Sequence, residues 1–216
     1  ALKDRGFEKI PSYGVEPIDV PGAVAGWMTL HERFGKLPLE EVMAPAIRYA
    51  EKGYPVTPNI SRLWQEAFEN YSKYRDRPEF QGWFDTFAPN NTWLKPGEMF
   101  RCPDMAKTLK EIAATKGEAF YRGAIAEKID AFFKKHNGFL TKEDLAAFKP
   151  EWVDPISVNY HGVDVWELPP NGHGITVLMA LQILKDMNLA ERDCADTMHK
   201  QIEAMKLAMV DTAEYV

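Results

Sequence analysis

The 216-residue chain is 45% hydrophobic and 12% aromatic, enough apolar surface for a core of ordinary domain size, and its 27% charged residues carry none of the bias of a disordered or fibrous protein. The 26 basic and 32 acidic residues give a net charge of −6, and no segment concentrates Lys and Arg densely enough to neutralise a row of phosphates, which argues against a nucleic-acid partner. Cys102 and Cys194 fit neither a zinc site nor a disulfide framework, and no apolar run approaches the roughly 20 residues of a membrane span, so neither metal nor membrane is expected.

In chain order, residues 21–34 predict a closely packed small-residue helix, with Pro21 suited to its first turn and Gly35 to its stop. Leu39, Val42, Met43, Ala46, Ile47 and Ala50 then form a one-sided apolar stripe at helical spacing, ended by Gly53. Pro45 inside that stripe predicts a kink or the start of a second helix, because proline removes an amide donor and crowds the preceding turn. Residues 59–74 predict a further helix. The connection over 78–103 carries Phe80, Trp83, Phe84, Phe87, Trp93 and Phe100, and a loop this aromatic must pack onto something. Helical periodicity returns over 104–115 and over 123–136, where Ile125, Ile129, Phe132 and Phe133 share a face and Gly138 supplies the stop. Thr141 through Asp144 has the pattern of a capping box.

Alternating apolar and polar residues over 156–160 and 163–168, joined by His161-Gly162, predict a β-hairpin. Residues 175–187 are apolar nearly all round and predict a buried helix. A last helix runs from about 197 to 216, with Met198, Ile202, Met205 and Met209 in a stripe. With no internal repeat and no Gly/Ser linker, one domain over 1–216 is the economical count, mainly α with one β-hairpin. The chain opens without Met and ends inside a helical pattern, so both ends read as cut from something longer. A cytoplasmic location is the default expectation, with periplasmic or secreted as alternatives.

No Gly-x-Ser-x-Gly elbow, His-Glu-x-x-His pair or phosphate-binding Gly-x4-Gly-Lys loop occurs. Solvated or capping roles explain His31, His136, His161 and His199, and the acidic pairs at helix starts complement helix dipoles. The candidate site is the turn Asn171, Gly172, His173 and Gly174, where a strand passes through a glycine-rich turn into a buried helix and presents backbone amides to an anion. A dinucleotide-binding fingerprint fails there, because Val177 replaces the third glycine and no second strand with a ribose-binding acid follows. The bland reading is a tight turn whose Asn171 and two glycines need positive φ.

Several ordered blocks resemble the large-subunit part of the gamma-glutamyltransferase family. They are residues 20–27 (Val-Pro-Gly-Ala-Val-Ala-Gly-Trp), Phe34-Gly35-Lys36-Leu37-Pro38, Ala44-Pro45-Ala46-Ile47, Ala119-Phe120-Tyr121-Arg122-Gly123, residues 169–174 (Pro-Pro-Asn-Gly-His-Gly) and residues 203–208 (Glu-Ala-Met-Lys-Leu-Ala). The resemblance implies a four-layer αββα sandwich of the N-terminal-nucleophile hydrolase type. Its precursor cuts itself ahead of a threonine whose hydroxyl attacks a gamma-glutamyl amide, with its own α-amine as base. That threonine is expected beyond Val216 and the arginine for the substrate's α-carboxylate before Ala1, so no catalytic residue is assigned within 1–216. The resemblance implies no metal or organic cofactor. It names two partners, a small-molecule gamma-glutamyl substrate and the remainder of the same precursor, the small subunit.

Where the family often reads Pro-Pro-Ser-Ser-Gly-Gly, this chain has Pro-Pro-Asn-Gly-His-Gly, which leaves an acylase or other gamma-glutamyl amide activity open beside glutathione. The piece alone is expected to be inactive, to expose apolar patches and to self-associate. The alternative of another class is a helical interaction module with the aromatic stretch 80–100 as its partner surface.

Overall fold

Side chains of Thr57, Thr141 and Cys194 satisfy amides that three of the described helices cannot satisfy themselves. In the computed structural model, residues 1–169 and 172–216 are described, and the chain gathers into two compact units, Ala1–Pro150 and Glu151–Val216.

The first unit runs through α1 (Ala23–Phe34), α2 (Leu39–Lys52), β1 (Tyr54–Pro55), α3 (Pro58–Ser72), α4 (Gln81–Phe87), β2 (Met99–Phe100), α5 (Pro103–Thr115), α6 (Glu118–Arg122), α7 (Ala124–Lys135) and α8 (Lys142–Ala147). Helix α1 begins two residues later than Pro21 suggests. The buried Tyr121 hydroxyl accepts from Ala25 N–H at 3.0 Å and donates to Pro21 O at 2.7 Å, so a distant side chain fixes the entry. Helix α2 runs unbroken through Pro45, so no second helix begins there. It forfeits only the amide bond that proline removes, and its exposed ring meets no core.

The connection over 78–103 was expected to be a loop. It holds a 3-10 turn, the seven-residue helix α4 and strand β2, which pairs antiparallel with β1, so the fold has a second strand pair beside the expected hairpin. Elements this short show no periodicity, and ring packing decides them. Trp64 of α3 meets Phe87 and Phe100 edge-on, Tyr71 meets Phe80 and Trp83, and Phe68 meets Trp93. None of the six rings of that segment is exposed, which leaves little of them to serve as a partner surface.

A separate core joins Val15, Val24, Ile112, Tyr121, Ile125, Phe133, Leu140 and Leu145. Phe132 does not share it. It is exposed and its ring lies against His136. Helix α7 ends as Gly138 N–H bonds Phe133 O at 2.8 Å, with Asn137 in the left-handed conformation, so asparagine supplies the turn and Gly138 the closing amide. The capping box forms as expected: Thr141 Oγ1 accepts from Asp144 N–H, and the Asp144 carboxylate accepts from Thr141 N–H at 2.9 Å. The Thr141 hydroxyl also donates to Asp144 Oδ2 at 2.7 Å, and this bond first, then the one from Thr141 N–H, holds the Asp144 carboxyl below its ordinary value.

The second unit comprises β3 (Ile156–Tyr160), β4 (Val163–Glu167), α9 (Gly174–Leu184) and α10 (Ala195–Tyr215). The hairpin register pairs Tyr160 with Val163 and Ile156 with Glu167. Its two-residue turn places His161 and Gly162 both at positive φ, the mirror-image turn that matches strand twist. Helix α9 packs on the hairpin and against α10. It is less enclosed than its composition predicts: Thr176, Leu178, Ala180 and Leu184 are buried while Val177 is exposed. Helix α10 departs from its reading too. Thr197, Ala204, Ala208 and Thr212 are its buried residues, and Met198, Ile202, Met205 and Met209 are exposed. Small side chains let two backbones approach, so here the seam is built from alanine and threonine.

Candidate functional site

The turn singled out by sequence lies where β4 leaves the hairpin and α9 begins. Asn171, one of its four residues, falls outside the described residues. Gly172 and His173 are exposed, and Gly174 is the first residue of α9. Gly174 does not adopt positive φ, so the helix start does not need this glycine for that reason. Gly174 is required by close approach. An ideal Cβ there would stand 2.6 Å from Glu167 Oε2 and 2.8 Å from Glu167 Cβ, so any side chain would collide with the end of β4.

His173 is the N-cap of α9 without a side-chain capping bond. The first turn closes as Thr176 N–H donates to His173 O at 3.1 Å, and the amides of Gly174 and Ile175 have no intrahelical partner. Glu167 therefore already sets a carboxylate beside the positive end of the helix dipole, a placement that stabilises both. The start of α9 is anchored from below. Thr212 Oγ1 donates to Ala208 O at 2.8 Å, and the buried Thr176 and Thr212 hydroxyls share a hydrogen bond at 2.6 Å. Chemically, the turn offers an exposed imidazole, backbone amides and a neighbouring carboxylate, a mixed-charge rim suited to a ligand bearing both an anion and an ammonium group.

Sequence reasoning named the turn but missed Glu167, Thr176 and Thr212. The signal available for Glu167 was an acid closing a strand seven residues before the first glycine of a helix, which has meaning only once the hairpin register is known.

Among the described residues no nucleophile is assembled around the turn. His31 Nε2 is bound to Leu37 O at 2.8 Å, a loop-tying role. The Cys194 thiol caps α10, and the hydrogen bonds of Thr197, side chain first, hold it below the ordinary thiol value. A polar cavity of about 630 Å³ between α1, α2 and the α5–α6 turn carries Glu32, Glu40, Lys116 and Glu118. An apolar one of about 290 Å³ is lined by Trp64, Trp83, Phe87 and Phe100. Among the described residues no group of three or more His, Cys, Asp or Glu is placed to hold a metal ion, and no helix is long and apolar enough to cross a membrane.

Comparison with known proteins gives this geometry its class. The family profile described as Gamma-glutamyltranspeptidase matches residues 1–216, and the chain belongs to that family. The glutathione hydrolase proenzyme of Pseudomonas aeruginosa is 32% identical over 222 residues, covering 100% of this chain and 38% of its own length. Among solved structures, a cephalosporin acylase from Bacillus halodurans is 51% identical with a TM-score of 0.96, over 100% of this chain and 40% of its own. The gamma-glutamyltranspeptidase of Helicobacter pylori is 29% identical with a TM-score of 0.85, over 97% of this chain and 60% of its own. The chain thus spans about two-fifths of the length of the first two relatives.

Proposed function

We propose that this chain is the large-subunit part of a self-processing precursor of the αββα N-terminal-nucleophile type, and that the whole protein hydrolyses or transfers gamma-glutamyl groups. The observation that supports it is the full-length match, in sequence and backbone, to proenzymes and acylases of one family. In this reading the threonine freed by processing lies outside residues 1–216. Its hydroxyl attacks the amide carbon, its own amine takes the proton, the amine product leaves, and water or an acceptor amine takes the acyl group. That chemistry needs no metal or organic cofactor. Residues 172–174, with Glu167 behind Gly174, border the substrate cleft and orient the α-amino and α-carboxyl groups of the substrate.

A second reading, an acylase acting on a related side-chain amide, is favoured by the 51% identity to a cephalosporin acylase and by His173 in the turn. A chromogenic gamma-glutamyl anilide and a glutaryl anilide separate the two. The complete gene product is expected to turn over the first faster, and residues 1–216 alone neither. Faster glutaryl turnover selects the acylase, and turnover by residues 1–216 alone overturns the assignment of the nucleophile. His173→Ala in the complete protein is expected to raise KM roughly fivefold with kcat unchanged, about 1 kcal/mol of uniform binding. An unchanged KM removes the turn from the site.

A further inference from the structure

Among the described residues the buried polar side chains are Ser61, Asp130, Thr176, Thr197 and Thr212. Three of them hold loop backbone: Ser61 Oγ donates to Leu94 O, Asp130 Oδ1 accepts from Lys142 N–H, and Thr197 Oγ1 donates to Glu191 O. Thr176 and Thr212 differ, because their hydroxyls meet each other at 2.6 Å across the seam between α9 and α10. The direction of that bond is fixed. Thr212 has one hydroxyl proton and gives it to Ala208 O, one turn back on its own helix, so across the seam Thr212 accepts and Thr176 donates. The hydroxyl in the first turn of α9 is thereby tied, through Thr212, to the backbone of α10.

Stability does not ask for this pair. Two apolar side chains of the same shape would close the seam at little or no cost, and the other buried residues of α9, Leu178, Ala180 and Leu184, are apolar. What a buried polar contact adds to apolar packing is a fixed register between two helices. The register fixed here is that of a helix's first turn, which frays most readily. Thr176 stands two residues past Gly174, and its own amide is the one bonded to His173 O. The first turn of α9 is therefore held at Gly174 by the close approach of Glu167 and at Thr176 by Thr212. We propose that Thr176 and Thr212 are positioning residues for the substrate turn, their hydroxyl pair setting the imidazole of His173 and the first amides of α9 relative to Glu167. This rests on the reading that residues 172–174 border the substrate cleft. Both hydroxyls belong to buried residues, so they act through the turn and not on the ligand.

The test uses the complete gene product and the gamma-glutamyl anilide, with the melting temperature of each variant recorded beside its kinetics. Thr176→Val removes the donor and keeps the shape, and it leaves Thr212 bonded to Ala208 O, so no buried group loses a partner it must have. Thr176→Ser keeps the donor and loses a buried methyl, a change that lowers the melting temperature. Thr176→Val is expected to raise KM roughly threefold with kcat unchanged, and Thr176→Ser to keep the wild-type KM although it melts lower. Thr212→Val removes the acceptor and is expected to raise KM as Thr176→Val does, with the double variant no worse than either alone, because the two act as one unit. Wild-type KM in both valine variants overturns the inference, and so does a KM that rises in Thr176→Ser in step with lost stability, the mark of a role in packing alone. His173→Ala, measured alongside, separates the two failures. A raised KM there with none in the valine variants removes only the positioning role, whereas an unchanged KM in His173→Ala takes the turn out of the site and the inference with it.

Discussion

The two units bury their apolar residues by different means. The first is closed by large side chains that meet one another: Leu145 is 0% and Phe84 2% exposed, and the rings of α3 and α4 interlock. The second is closed by small ones, with Ala204 and Ala208 at 1% against α9 and two threonine hydroxyls bonded inside the seam, while its larger residues on α10 face outward. A core of large side chains is held by ring and aliphatic contact, whereas an alanine and threonine seam fixes backbone spacing and leaves the larger residues of α10 exposed. Both units leave large apolar residues exposed, Trp27, Leu30 and Phe34 in the first and Ile202 and Met209 in the second, so the contrast lies in how each core is closed.

The largest expected effect sits in the first unit. Phe84→Ala removes a buried ring from the α3–α4 cluster and is expected to cost about 3–5 kcal/mol in urea or thermal unfolding. A cost under about 1 kcal/mol would mean that the aromatic cluster is loosely held, and the contrast would weaken. Next, Ala208→Leu forces three extra heavy atoms into the α9–α10 seam and is expected to destabilise by about 1–3 kcal/mol. A neutral result would show that the seam is not close-packed.

The smallest effect is Thr141→Ala, about 1 kcal/mol from loss of the α8 N-cap. It also has a pH signature. The hydroxyl and amide of Thr141 hold the folded Asp144 carboxyl low, so this contribution is fully present above the ordinary aspartate value of about 3.9. It is lost as pH falls through the lowered folded value. The stability gap between wild type and variant should therefore shrink below about pH 4. A gap constant with pH would break the link between cap and carboxylate.

Most helices were legible because their apolar period and their stops are local properties: Gly35, Gly53 and the Thr141 box mark ends within a few residues of where they fall. What was illegible depends on distance in sequence. Tyr121 sets the start of α1 from 96 residues away, and Trp64 turns an apparent loop into α4 and β2. The stripe on α10 was visible as a period of Met and Ile. Period alone does not say whether a face meets its own unit or another surface, and the small residues beside it won the seam with α9. At the site, the residues of the turn were readable from glycine and histidine in sequence, but the reason for Gly174 was not. It follows from the register that brings Glu167 beside the first turn of α9.

The account stands most directly on where the nucleophile lies. Expression of the complete gene, separation of its chains and N-terminal sequencing of the smaller one should give a threonine as first residue, with residues 1–216 contained in the larger chain. A single uncut chain that cleaves the anilide, or a processed chain opening on another residue, would contradict it.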